Sequence, residues 1–173
     1  MKLYLPGNEN TRAGDGTRGI FLAGPIQNAP NWQSRAIHLL NKFDINVFSP
    51  RKDVEREADF GSYEYDEQIE WEHYHLGLAT KYGVTVFYLA KNISETPGRA
   101  YAQTSRYELA EAATLNRLIG TQLVVGIEEG FSGDRYIKKT LTRKNPTVKI
   151  FDNLEDTIGH AVKYSGVAQD YII

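Results

Sequence analysis

The sequence predicts an α/β protein built on a doubly wound parallel sheet of five strands. Three observations predict it. Strand-like and helix-like segments alternate five times along 173 residues. The strand segments are continuous apolar runs without strict alternation, as expected of strands covered on both faces. Each pair of strands is separated by a helical stretch long enough for a crossover connection, so neighbouring strands can run parallel.

Residues 1–18 are polar, with Gly14 and Gly16, and read as a flexible lead-in or loose edge segment. A single domain is expected over 19–173. "GIFLAG" (19–24) is a short buried strand ended by glycine. Asn28-Ala29-Pro30-Asn31 then supplies a helix start, with Pro30 or Asn31 near the cap, and Trp32, Ala36, Leu39, Leu40 and Phe43 recur at helical spacing. "INVFSP" (45–50) is the second strand, followed by a charged loop over 51–63 with one helical turn at most. Residues 64–81 form a helix, "VTVFYLA" (84–90) the third strand, 91–103 a loop and 105–118 a helix. "TQLVVGI" (121–127), a basic helix at 134–143, "TVKIF" (147–151) and a closing helix at 153–165 complete the chain. The expected strand order is the flavodoxin-like 2-1-3-4-5, a three-layer sandwich. Ligands of such sheets bind beyond the C-terminal strand ends, where the winding direction reverses. That rule gathers "GPIQN" after the first strand, the loop after the third, and the start of the helix at 105 around one crevice.

Bulk composition narrows the ligand. Net charge is −2, so no general basic field exists for a nucleic-acid polymer. There is no cysteine, hence neither disulfides nor thiolate metal sites. No apolar run has the length of a membrane span, and "MKLYLPGNENTRAGDGTRG" lacks a signal-peptide core. The expectation is a cytoplasmic protein with a small-molecule ligand. The histidines show no metal-ligand spacing, and His73 and His75 are expected to be solvated. "GPIQNAP" lacks the glycines of a dinucleotide fingerprint.

Two carboxylates stand out. Tyr65, Ile69, position 72, Leu76 and Ala79 form the apolar stripe of the helix before the third strand, yet position 72 is Glu72. A carboxylate there is either paired with an arginine or belongs to a site where burial tunes its ionisation. Glu108 sits in "TSRYELAEAATL", where Ser105 and Glu108 have the spacing of a capping box. Against that, its helix begins at the crevice. Arg51, after Pro50, is placed to clamp a phosphate or to make a surface ion pair.

Four motifs in order, "IFLAGPI" with a following "NW", "VFSPRK", "EQIEWE" and "TSRYELAEA", resemble the nucleoside 2-deoxyribosyltransferase-like superfamily over about residues 20–113. The resemblance implies cleavage of the N-glycosidic bond of a nucleoside or nucleotide, without metal or redox cofactor. It implies that Glu108 is the nucleophile and Glu72 the second acid; alignment on Trp71 would place Gln68 there instead. Many members carry a first-strand tyrosine that holds the nucleophile, where this chain has Phe21. The transferases also carry a base-contacting acid in the region of Ala102. Both departures favour a hydrolase over a deoxyribosyl transferase. The implied substrate-binding set is Phe21, Gly24, Pro25, Ile26, Gln27, Arg51, Thr104 and Ser105, with Trp32 or Tyr101 stacking on the base. A homodimer or larger homo-oligomer is a further expectation of the resemblance. A non-catalytic nucleotide-binding module and an NAD-type N-ribosyl hydrolase remain the alternatives.

Overall fold

A computed structural model describes residues 1–7, 12–51 and 62–166. Its strands are β1 (Lys2–Tyr4), β2 (Ile20–Ala23), β3 (Asn46–Phe48), β4 (Val84–Leu89), β5 (Leu123–Ile127) and β6 (Ile150–Phe151). Its helices are α1 (Trp32–Leu40), α2 (Ser62–Tyr82), α3 (Gln103–Ile119), α4 (Asp134–Lys144) and α5 (Leu154–Tyr164). The sheet is entirely parallel, in the order β1-β3-β2-β4-β5-β6. The last five of these strands reproduce the flavodoxin-like order expected from sequence. The sixth strand is the difference. Lys2–Tyr4 pair with Asn46–Phe48 on the edge of β3. Three residues beside Pro6-Gly7 carry too little pattern to announce a strand, and only the open edge of β3 makes them one. The expected loop over 51–63 lies mostly outside the described residues.

The sheet separates two cores. Phe21, Ala23, Phe48, Phe87, Leu89, Val125 and Ile127 face α2, α3 and α4. Ile20, Leu22, Val47, Val86, Tyr88 and Val124 face α1 and α5. Parallel strands joined by right-handed crossovers explain the split: the connection through α1 winds one way from β2, and the later ones wind the other. Every residue of β4 and β5 is buried, which is why these strands read as unbroken apolar runs. Local chemistry sets the helix ends. Asn31 caps α1, its side-chain oxygen accepting from the Ser34 N–H at 3.1 Å, and Asn153 caps α5 through the Asp156 N–H at 2.8 Å. Gly120 ends α3 in the left-handed region, at φ 72°.

Helix α2 is rotated from the sequence expectation. Trp71, His75, Leu78 and Ala79 are its buried residues, whereas Tyr65 is 57% exposed. The stripe of Tyr65, Ile69, Glu72 and Leu76 lies beside the core-facing row and lines a cavity instead. His75 therefore corrects the expectation of a solvated side chain. It is fully buried against Trp71, Phe48 and Tyr4. Its Nε2 accepts from the Ala13 N–H at 3.1 Å, so the ring proton is on Nδ1, which donates to the Trp71 carbonyl at 2.8 Å. Tyr74 completes the hold on Ala13 by donating its hydroxyl to the Ala13 carbonyl at 2.7 Å.

This arrangement needs neutral imidazole, and burial holds the His75 pKa below its ordinary value. The unfolded chain binds the proton more readily. His75 therefore imposes no ionisation penalty above about pH 6.5 and weakens the fold as pH falls below it. The urea midpoint of the protein is expected to drop between pH 7.5 and pH 5.5 by more than that of His75→Phe, measured in parallel. Equal drops would show that His75 does not carry this sensitivity.

Candidate active site

The crevice forms where β2 and β4 part company. Strand β2 ends at Gly24, whose φ of 145° favours glycine. A Cβ at Gly24 would run into the Tyr88 carbonyl oxygen of β4 and approach Trp32 Cζ2 to 2.9 Å. Backbone thus meets backbone at this point, and the "GPIQN" turn leaves the sheet directly into the crevice. Trp32 supports the turn from beneath, donating its indole N–H to the Pro25 carbonyl at 2.9 Å. Asn28, at φ 59°, ties the turn to the loop after β4: it donates to Thr96 Oγ1 at 2.8 Å, and its side-chain oxygen accepts from Ser94 Oγ at 3.0 Å. Asparagine tolerates that left-handed conformation better than most residues.

A cavity of about 1110 Å³ opens here, at the large end for a small-molecule site and roomy enough for a nucleotide. Phe21, Gly24, Pro25, Ile26 and Gln27 line it from the β2 side. Tyr101, Thr104 and Ser105 line it from the loop after β4 and the first turn of α3. Tyr101 is fixed in place by its hydroxyl, which donates to the Ala90 carbonyl at 2.7 Å. Burial, reinforced by the Glu128 charge, pushes that hydroxyl up to about 12, so it stays a neutral donor. Glu72 from α2 and Glu108 from α3 line the same cavity.

The capping-box alternative for Glu108 fails on helix register. Helix α3 starts at Gln103, preceded by Ala102 in the left-handed conformation at φ 55°. Ser105 is the third helical residue and caps nothing, so Glu108 cannot fold back to complete a box. Among the described residues the Glu108 carboxylate has no hydrogen-bond donor. Burial pushes its pKa up to about 7, with the charges of Glu72 and then Glu111 adding to the rise. Burial raises Glu72 as well, opposed by the hydrogen bond that Gln68 donates and by His73. Two partly buried carboxylates that resist ionising together are an arrangement suited to acid–base or nucleophilic work.

Two expected ligand contacts are corrected. Trp32 is 2% exposed, packs on the Tyr88 ring at 5.4 Å and does not line the cavity, so it is not placed to stack on a base. Its spacing from Gly24 puts it on the buried face of α1, under the turn. Arg51 faces away from the cavity as well. Its guanidinium donates to the Pro30 carbonyl at 3.3 Å and to Gln33 Oε1 at 3.2 Å, lining a separate cavity of about 110 Å³. It braces the start of α1 and is not a phosphate clamp here.

Other lining residues were not assigned to the site from sequence. Ile69, His73 and Leu76 come from α2 because of the rotated face, beside Gln68, the alternative position for the second acid, and Glu111 lies one turn after Glu108 on α3. The step of three between Glu108 and Glu111 was available as a signal. Among the described residues no group of three or more His, Cys, Asp and Glu is arranged to hold a metal ion. No described helix is long and apolar enough to cross a membrane.

Fold and site together define a doubly wound α/β protein with a pair of partly buried carboxylates in its switch-point crevice. The sequence profile of the family described as "Nucleoside 2-deoxyribosyltransferase like" matches residues 17–131, and the chain belongs to that family. The match contains β2 to β5, α1 to α3 and both carboxylates. No curated protein matches the chain. Membership indicates glycosyl transfer or cleavage on a small-molecule nucleoside.

Proposed function

We propose that the chain cleaves the N-glycosidic bond of a nucleoside or nucleoside 5′-monophosphate, with Glu108 as nucleophile and hydrolysis favoured over transfer to another base. The observation that carries this reading is Glu108 itself. It lies in the cavity, without a donor of its own among the described residues, within electrostatic reach of a second partly buried carboxylate. A Glu108 oxygen bonds to the anomeric carbon as the carbon–nitrogen bond breaks and its electron pair leaves on the base. Water then attacks the same carbon and releases the carboxylate, and the proton that water gives up ends on the departed base. Glu72 either accepts hydrogen bonds from the sugar hydroxyls or assists the base. Backbone N–H groups of Gly24, Ile26 and Gln27, with Thr104 and Ser105, hold the 5′ end. Tyr101 offers a ring edge for the base. Hydrolysis is favoured because Ala102 provides no carboxylate to position an incoming base. A homodimer or larger homo-oligomer belongs to the same reading.

The test is base release from a panel of nucleosides, their 5′-monophosphates and NAD. The nucleophile must be ionised, and Glu108 titrates at about 7. With the best substrate, kcat/KM is therefore expected to rise about tenfold per pH unit below about pH 7 and to level off above it. A rate that falls through pH 7 would make Glu108 the acid and not the nucleophile. Binding without release from any member would favour a nucleotide-binding module, a reading that Phe21 supports by offering no hydroxyl to hold Glu108.

A further inference from the structure

Gln68 lies one turn before Glu72 on α2, and its amide is held in one orientation. Its Nε2 donates to the Pro50 carbonyl at 2.8 Å and to Glu72 Oε1 at 2.7 Å. An amide nitrogen carries two protons, and both are committed. The Pro50 carbonyl can only accept. Turning the amide over would set Oε1 against that carbonyl oxygen and abandon both bonds. Gln68 thus offers Glu72 a donor and never an acceptor. Its own Oε1 is buried and has no hydrogen-bond partner among the described residues; it could accept a proton from Glu72 only after the flip that Pro50 prevents. A donor to a carboxylate favours the charged form.

Glu108 has opposite surroundings. The other charged and titratable groups lining the cavity are Tyr65 and His73 of α2, Tyr107 and Glu111 of α3, and Glu95, Arg99 and Tyr101 of the loop after β4. Of these, Glu111 stands on the helix of Glu108 and disfavours its charge, while His73 stands beside Glu72 and favours that one.

We propose that Gln68 is a positioning residue that keeps Glu72 the ionised, acceptor-only member of the pair. Glu72 then receives hydroxyl donors from the sugar and does not deliver a proton to the base. The proton that the pair retains near neutrality sits on Glu108 and leaves before attack. The use assigned to Glu72 rests on the glycosidase reading; the order of ionisation does not.

The test is a ligand-free ¹³C-carboxyl NMR titration of protein labelled at glutamate, with Glu72 and Glu108 assigned through their glutamine variants. In wild type, Glu72 is expected to titrate below Glu108. In Gln68→Met, the Glu72 midpoint moves up and the Glu108 midpoint moves down, each by on the order of one pH unit. A merely structural role would not move the two in opposite directions. Glu72→Gln, which still accepts from Gln68, lowers the Glu108 midpoint and provides a second variant should Gln68→Met fold poorly. Glu72 titrating above Glu108 in wild type, or both midpoints shifting together in Gln68→Met, overturns the proposal. Base release is assayed on the same samples. Opposed shifts without release leave the ionisation order standing and reject the glycosidase reading; release without opposed shifts does the reverse.

Discussion

Replacing Glu108 by alanine is expected to lower the rate of base release by at least about 10³-fold, because the atom that attacks the anomeric carbon is gone. Glu108→Gln should be as severe, since a neutral amide of the same shape is a poor nucleophile. A capping role would give a different pattern, with lost stability and little lost rate. The stability arm is informative in its own right. Burial and the neighbouring carboxylates raise the folded-state pKa of Glu108 to about 7, above the unfolded value of about 4.3. A carboxylate raised in this way favours the fold while protonated and weakens it as pH climbs through the folded pKa. Glu108→Gln is therefore expected to unfold at higher urea than wild type at pH 8 and at nearly the same urea at pH 4. An inactive variant that is more stable at pH 8 would separate chemistry from folding. An inactive variant that is less stable at both pH values would leave Glu108 a structural residue.

The second large effect is expected from Gly24→Ala. The backbone there has φ 145°, and the added Cβ is directed at the Tyr88 carbonyl oxygen, with Trp32 Cζ2 at 2.9 Å on the other side. Neither neighbour yields easily, because one is the main chain of a central strand and the other a buried indole. Conformational strain and overpacking each cost about 1–3 kcal/mol, so a loss of about 3 kcal/mol is expected. For a chain of this size that lowers Tm by roughly 6–12 °C. Calorimetry on the purified variant reads this directly, and a Tm within a degree or two of wild type would refute the account of why β2 ends in glycine. The same substitution displaces the Pro25 carbonyl that Trp32 holds, so residual folded protein should bind nucleosides weakly.

Much of the architecture was legible because it is periodic and local. The buried runs of β2, β4 and β5 and the helix start at Asn31 each follow from a few consecutive residues. The crevice was legible too, since the winding of a doubly wound sheet dictates where its ligand end lies. Glu72 was recognised as a carboxylate on a buried-looking stripe, and Glu108 by its place at the start of a crevice-facing helix. Whether Glu108 capped its own helix was not decidable from spacing. That depended on Ala102 adopting a left-handed conformation, which shifts the first turn of α3 and has no signature in an alanine.

The chain order of apolar and polar residues was enough to specify the layers, the order of strands β2 to β6 and the end of the sheet where the crevice opens. Tertiary structure alone decided the partners. His75 is buried because the Ala13 N–H, 62 residues away, answers its ring nitrogen. Arg51 turns from the crevice because Pro30 and Gln33 accept its protons. Trp32 goes beneath the turn because the Pro25 carbonyl needs a donor there. Gln68 takes its orientation from the Pro50 carbonyl. Periodicity reports which face of an element is apolar. It carries no record of which donor or acceptor from a distant segment meets a polar side chain, and at a functional site that meeting sets the charge.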